Sequence, residues 1–329
     1  MATYLVTGGA GFIGSHITEE LLRNDHNVRV FDNFSTGKRI HLQMIAETTE
    51  NPELLDICDG DLRSYHTVLE AMDGIEYVIH QGALPSVSRS VQDPLTSNEV
   101  NVTGTLHVLY AALKTGVRRV VYASSSSVYG DNPILPKHED LTPMPLSPYA
   151  VSKLTAEQYC QVFTRIYGLE TVSLRYFNVF GPRQDPFSLY SAVIPRFITA
   201  ALQGEMITIH GDGLQSRDFT YVSNMVRANL LACEAPAAVG HAINISCGDR
   251  HSLLDLLDHL AALTGKEIKR QHTDARAGDV KHSQANIERA GKLLGYEPIV
   301  SFTEGLALTV EWYQKQMHGL AVPNETAKS

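Results

Sequence analysis

A short apolar run, Tyr4-Leu5-Val6, leads straight into Thr7-Gly8-Gly9-Ala10-Gly11-Phe12-Ile13-Gly14 and then into a helical pattern. Gly8, Gly11 and Gly14 fall on a G-x-x-G-x-x-G spacing. Glycine tolerates positive φ and carries no side chain to hold a ligand away from the backbone. The helix that follows offers free N–H groups and the positive end of its dipole. Such a turn between strand and helix predicts a site for the pyrophosphate of a dinucleotide.

The segments that follow repeat the alternation. Phe12 to Arg23 carries Ile13, Ile17, Leu21 and Leu22 at helical spacing. Val28 to Phe31, Leu55 to Cys58, Tyr77 to His80, Val120 to Ala123, Thr171 to Tyr176 and Ala242 to Ser246 read as strands. Runs apolar on both faces fit a parallel sheet covered by helices on each side. The expected fold is α/β, a Rossmann-like doubly wound parallel sheet. Two long helices are expected at Asn98 to Thr115 and Tyr149 to Tyr167, each apolar on a second face as well. After Tyr176 turn signals break the rhythm at Gly181-Pro182, Asp185-Pro186 and Gly211-Asp212-Gly213. Helices return at Ala192 to Gln203, Leu253 to Leu263 and Phe302 to His318. These predict a smaller, discontinuous C-terminal α/β substrate lobe. The expected division is 1–176 plus 219–247 for the dinucleotide, 177–218 plus 248–318 for the lobe, and 319–329 as a flexible tail.

Composition narrows the partners. A net charge of -9 argues against nucleic acid, which needs a basic stripe. Cys58, Cys160, Cys233 and Cys247 lie far apart and form no C-x-x-C pair, so reduced thiols in a cytoplasmic protein are expected, with no metal site. No apolar run reaches the roughly 18 residues of a membrane span, and no signal-peptide pattern precedes the first strand.

Chemistry gathers at a few positions. Asp32 ends the second strand, where a carboxylate accepts from both ribose hydroxyls and repels a 2′-phosphate, so NAD is expected rather than NADP. Asp61-Leu62 follows the third strand and is placed to contact adenine. Tyr149 and Lys153 stand one helical turn apart. A tyrosine acting as base near neutrality needs its pKa lowered by about 3 units, roughly 4 kcal/mol. A neighbouring ammonium and a cationic nicotinamide ring are suited to supply that. Ser124-Ser125-Ser126-Ser127 closes the fifth strand, and a hydroxyl there is suited to pass a proton. Spacing alone does not choose among the four.

In order along the chain, Thr7 to Gly14, Asp32-Asn33, Asp61-Leu62, Ser125-x-x-Val128-Tyr129-Gly130, Tyr149-x-x-x-Lys153, Leu174 to Arg183 and Ser216-Arg217-Asp218-Phe219 resemble the extended short-chain dehydrogenase/reductases. Within them the chain is most similar to nucleotide-sugar 4-epimerases, up to about residue 318. The resemblance implies Ser125, Tyr149 and Lys153 as catalytic residues. For NAD it implies Gly8, Gly11, Phe12, Ile13, Gly14, Asp32, Asn33, Ser35, Thr36, Gly37, Asp61 and Leu62. Gln81, Ala83, Asn101, Ser124, Tyr149, Lys153, Tyr176 and Val179 complete that set. For a UDP-sugar it implies Ser86, Ser88, Ser125, Ser126, Tyr149, Gln184 and Val193, with Asn178, Arg217 and Arg276 on the diphosphate and Asp279 on the uridine ribose. A homodimer through a four-helix bundle is implied as well.

Related 4,6-dehydratases carry an Asp-Glu pair directly after the active-site hydroxyl. Here Ser126 and Ser127 stand there, and neither is an acid. A net dehydrogenase would exchange its cofactor each turnover, whereas epimerisation returns the hydride it borrows. Intact Ser125, Tyr149 and Lys153 speak against a non-catalytic NAD-binding regulator. His80 to Ala83, Ser86 to Ser90, Gln184 to Pro186 and Gly278 to Ser283 resemble the epimerases that prefer N-acetylated UDP-sugars. Ser283 matches a gate position that is tyrosine in some glucose-specific relatives. The expected reaction interconverts UDP-GlcNAc and UDP-GalNAc. UDP-glucose/UDP-galactose epimerisation is the alternative, and a UDP-GlcNAc-uronate is a less favoured substrate.

Overall fold

The computed structural model describes residues 1–186, 192–274 and 281–320. The first half runs β1 (Thr3–Thr7), α1 (Phe12–Arg23), β2 (Asn27–Asp32), α2 (Arg39–Thr48), β3 (Leu55–Asp59), α3 (Tyr65–Ala71), β4 (Tyr77–His80), then short helices α4 (Val87–Gln92) and α5 (Pro94–Asn98). It continues through α6 (Gly104–Thr115), β5 (Arg119–Ser125), α7 (Pro148–Val162) and β6 (Glu170–Tyr176). Then come β7 (Val179–Phe180), α8 (Val193–Gln203), β8 (Ile207–His210), β9 (Ser216–Arg217), β10 (Thr220–Tyr221), α9 (Val222–Glu234) and β11 (Ala242–Ile245). The chain closes with β12 (His251–Ser252), α10 (Leu253–Thr264), β13 (Arg270–Thr273), α11 (Glu288–Leu294) and α12 (Phe302–Leu320).

Seven strands form one sheet in the order β11-β6-β5-β4-β1-β2-β3, every pair parallel. The order reverses between β1 and β4, the place where such sheets open a crevice beyond their strand ends. One face packs on α1 and α9 through Ile17, Leu21, Met225 and Ala228. The other packs on α3, α6 and α7 through Val68, Val108, Leu109 and Ala156. Burying a side chain of valine or leucine size contributes about 1.5–3 kcal/mol. In β1, β4, β5, β6 and β11 burial does not alternate, because both faces are covered. No helix of the described residues is long and apolar enough to cross a membrane.

A third apolar cluster gathers Phe180, Ile198, Ile209, Leu256, Phe302 and Leu306 from the later elements. Short pairs β8·β13 and β9·β12 sit with it. Ala290, Leu294 and Tyr296 instead join the cluster under the large sheet. The long helix expected from Asn98 includes a π-helical turn at Glu99–Thr103, and the one expected to Tyr167 ends in another at Phe163–Tyr167.

Helix α7 is fastened to the sheet by a buried ion pair. Glu157 and Arg175 are 0% and 4% exposed, with Arg175 Nη2 donating to Glu157 Oε1 at 2.6 Å. Ser124 Oγ donates to Glu157 Oε2 at 2.7 Å, and Arg175 Nη1 donates to the Tyr129 hydroxyl at 2.8 Å. Removing one partner strands the other charge in a site without water. Arg175→Met is expected to cost about 3–5 kcal/mol of stability, read from urea unfolding of the variant against the parent.

Candidate active site at the ends of the central strands

The crevice beyond β1, β2, β4 and β5 holds a cavity of about 810 Å³. At its floor Gly8 has φ +68°, and a Cβ there would lie 2.8 Å from the backbone of Gly82. A Cβ on Gly14 would lie 2.2 Å from the Gly8 carbonyl oxygen. Side chains are therefore excluded at both positions, and the first turn of α1 lies open to the cavity at Gly11, Phe12, Ile13 and Gly14. Gly11 caps that helix without a side-chain bond, so its first N–H groups are not capped by that residue.

Asp32 is buried at the end of β2. Its carboxylate accepts from the amides of Ala10 at 3.0 Å and Phe34 at 2.8 Å. Burial pushes its pKa up against those two bonds. Asn33, Ser35, Thr36 and Gly37 continue the wall, with Asp61 and Leu62 beside them. Arg63, hydrogen-bonded to Asp61 at 2.7 Å, holds that carboxyl down at about 2, and Asn33 Nδ2 donates to it at 3.0 Å. The open helix start, the side-chain-free cradle and the acidic strand end fit NAD.

The reactive end lies where β5 meets α7. Ser147 caps α7, Pro148 occupies its first turn, and Ser90 Oγ of α4 accepts the Tyr149 amide at 3.0 Å. Tyr149 and Ser125 line the cavity together, and Lys153 Nζ donates to the Ala123 carbonyl at 2.7 Å. The ammonium nitrogen is 6.0 Å from the centre of the Tyr149 ring. Burial raises the Tyr149 pKa, opposed by the nearby Ser125 hydroxyl. Burial also lowers Lys153 to about 7. The lysine is itself short of solvation, so its charge does not make Tyr149 a base unaided.

Gln81, Ala83, Ser124, Tyr176 and Val179 line the same cavity. Gln81 Nε2 donates to the Tyr176 hydroxyl at 2.8 Å and to Asn229 at 3.1 Å. Behind the wall runs a hydrogen-bond series. The Gly82 amide donates to Thr7 Oγ1 (3.1 Å), which meets His80 Nδ1 (2.6 Å). His80 Nε2 meets Thr105 Oγ1 (3.0 Å), which donates to the Asn101 carbonyl (2.6 Å). Because Thr105 spends its proton on Asn101, His80 carries its own on Nε2 and accepts at Nδ1. Burial pushes that imidazole down to about 3.

A second cavity of about 290 Å³ opens from the first and shares Asn178, Val179 and Ala192 with it. Val193 and Arg217 line it, as do Thr208, His210, Gln215 and Phe219. Gln184 and Ser86 line the larger cavity. The buried Oε1 of Gln184 has no hydrogen-bond partner among the described residues, which leaves it to accept from a ligand. Ser88, Ser126, Asn101 and Ser283 line neither cavity. Asn101 is buried behind the wall, where it exchanges bonds with the Leu84 backbone and donates to Ser152. Ser283 donates its amide to the Ser216 carbonyl at 3.0 Å, next to Arg217. Arg276 and Asp279 lie outside the described residues. Arg89 and Asp185, inside the Ser86–Ser90 and Gln184–Pro186 stretches but given no role of their own from sequence, line the cleft with Lys38, which the sequence does not single out. An isolated charge gives no periodic signal to find it by.

A dinucleotide crevice with a serine, a tyrosine and a buried lysine gathered at the end of the fifth strand defines an extended short-chain dehydrogenase/reductase. Residues 4–247 match the NAD dependent epimerase/dehydratase family. Over 315 residues the chain is 38% identical to UDP-glucose 4-epimerase of Mycolicibacterium smegmatis, covering 95% of this chain and 98% of that one. It is 36% identical over 325 residues to UDP-glucuronate 4-epimerase of Thermodesulfobacterium geofontis, covering 96% and 98%. It superimposes with a TM-score of 0.90 and 40% identity on UDP-N-acetylglucosamine 4-epimerase of Methanobrevibacter ruminantium M1 in complex with UDP-N-acetylmuramic acid, covering 96% and 99%. The chain belongs to the NAD dependent epimerase/dehydratase family, and NAD is its cofactor.

Lys153 gives this site a pH signature. Its native value of about 7 lies below the ordinary 10.5. Between those values the unfolded chain holds a proton that the native one does not, so stability rises with pH in that window. Melting temperatures of cofactor-stripped protein from about pH 7 to 9 should climb less steeply in Lys153→Met than in the parent. Equal slopes would mean that Lys153 titrates at its ordinary value.

Proposed function

We propose that this chain is a UDP-sugar 4-epimerase that interconverts UDP-GlcNAc and UDP-GalNAc through a 4-keto sugar. The observation that carries the reaction is the grouping of Ser125, Tyr149 and Lys153 on one cavity wall, in a cleft with a dinucleotide cradle at one end and the Asn178–Arg217 cavity at the other. In this reading Tyr149 takes the 4-hydroxyl proton, directly or through Ser125. Lys153 holds the nicotinamide ribose and keeps the phenol ring in place. Asn178 and Arg217 bind the diphosphate, where a guanidinium fork donates two bonds together. Val193 flanks the uridine, while Gln184 offers its unpaired oxygen to the nucleotide sugar. NAD, when bound, would supply the acceptor and donor of the C4 hydride, and its positive ring would favour the phenolate. A bond from Ser125 would help hold the charge that burial disfavours.

The absence of an acid at Ser126 and Ser127 supports epimerisation over dehydration. The N-acetyl preference is supported by the sugar-loop resemblance, by the small side chain of Ser283, and by the likeness to a UDP-N-acetylglucosamine 4-epimerase. One observation favours a second reading. Arg89 lines the cleft near Ser86, a cation within reach of a uronate carboxylate. We assign 1–176 plus 219–247 to NAD and the Phe180–Phe302 cluster to the sugar nucleotide. We take the stretch around Ala290, Leu294 and Tyr296 into the NAD half as well, a reading supported by its packing under the large sheet.

The test is chromatographic assay of UDP-GlcNAc, UDP-glucose and UDP-GlcNAc-uronate with the parent, Tyr149→Phe and Ser283→Tyr. The parent is expected to turn over UDP-GlcNAc best. Tyr149→Phe should retain NAD and lose about 10²- to 10⁴-fold in rate. An overfilled site costs about 1–3 kcal/mol, so Ser283→Tyr should lose UDP-GlcNAc activity selectively. Equal loss on all sugars removes the support drawn from Ser283, and net formation of free NADH sinks the epimerase reading.

A homodimer through α6 and α7 is supported by exposed Tyr110, Val151, Val162 and Ile166 on those helices and the turn that ends α7. Sedimentation should give twice the 36.2 kDa chain mass, and Ile166→Glu should lower it to the monomer's.

A further inference from the structure

Arg183 closes the Leu174–Arg183 stretch, yet neither cavity includes it and the proposed reaction leaves it without a role. Its backbone is left-handed, at φ +66°, a conformation that a non-glycine residue keeps only where its surroundings enforce it. The surroundings are specific. Arg183 Nη2 pairs with Glu19, and Nη1 donates to Ser15 Oγ at 3.3 Å. The arginine and glutamate side chains are 10% and 28% exposed. One residue earlier, the Pro182 carbonyl meets His16 Nε2 at 3.0 Å. All three of those partners stand on α1, the helix whose first turn cradles the dinucleotide.

The next two residues reach elsewhere. The Gln184 carbonyl accepts from the Tyr313 hydroxyl of α12, in the second half of the molecule. Asp185 pairs with Lys38 at 2.8 Å, and Gln184, Asp185 and Lys38 all line the cleft. Residues 182–185 thus form a bridge from the cofactor helix to the far lobe, with its last two side chains at the cavity wall.

We propose that Arg183 is a cofactor-retaining positioning residue: its bond to Glu19 clamps the 182–185 bridge on α1 and so holds Gln184 and Asp185 across the path by which NAD leaves. An epimerase that borrows and returns a hydride profits from such a clamp, since its dinucleotide has no need to depart. The inference rests on NAD as cofactor and on no particular sugar.

The experiment measures NAD release from purified holoenzyme without sugar, by trapping freed NAD with an alcohol dehydrogenase and reading NADH absorbance. Arg183→Gln and Glu19→Gln are each expected to release NAD about tenfold faster, equivalent to about 1.4 kcal/mol. The double variant should release it no faster than the faster single variant, because the Arg183–Glu19 bond is lost in all three. Tyr313→Phe, which loosens the other anchor without touching α1, should speed release as well. Glu19 lies on the solvent side of α1, so its variant carries the test if Arg183→Gln does not fold. Release within about twofold of the parent in the Glu19 variant, or multiplicative effects in the double variant, would overturn the proposal. Sugar specificity could prove different from that proposed above without altering these rates.

Discussion

The carboxylate of Glu157, sealed from water beneath the end of β5, is the interaction on which the active site hangs. A buried charge is tolerable only when each lone pair is used, and here Arg175 and Ser124 use them. The three groups come from α7, β6 and β5. Tyr149 and Lys153 project from that same helix, and Ser125 follows Ser124 on that same strand. Relative placement of the proton-handling groups is thereby set by a polar bond with direction, not by apolar contact, which permits sliding. The network extends through Tyr129 to Asn244 on β11, so the sheet edge is tied in too.

Much of this was legible in the chain because its signals are local. The glycine turn needs neighbours within eight residues, and the Tyr149–Lys153 pair needs one helical turn. Strands buried on both faces stand out as continuous apolar runs. Helix α9 is harder to see, since Asn224 and Asn229 interrupt its apolar face. Both are fully buried and satisfied, Asn224 by the backbone near Val300 and Asn229 by Tyr176. Those partners lie far off in sequence. The smaller cavity was legible in part for a related reason. Asn178, Val193 and Arg217 came from the resemblance, but Thr208, His210 and Gln215 join them through lobe packing that no periodicity encodes. Asn101 carries a family-implied role in cofactor binding, and the structure places its side chain between the Leu84 loop and α7.

Electrostatics in the cleft depend on who is desolvated. Lys153 and Tyr149 share one dry environment, and each is driven toward its neutral form. Asp61 behaves oppositely at the open end, where Arg63 and Asn33 favour its anion. The protein thus weakens charge at the reactive end and favours it at the binding end of one groove.

The series from Gly82 through Thr7, His80 and Thr105 to Asn101 has a further consequence. With its imidazole uncharged down to about pH 3, the ring neither gains nor loses a proton in any ordinary medium. Every link points the same way, and neither ring nitrogen has a second partner in the series. Such a row transmits displacement without transmitting charge. It acts as a tie rod, joining the Thr7–Gly82 contact beside the glycine turn to the π-helical turn of Asn101 through groups that carry no charge. Valine in place of either threonine would cut the row at two joints together, because its three side chains, Thr7, His80 and Thr105, are joined end to end between two backbone groups.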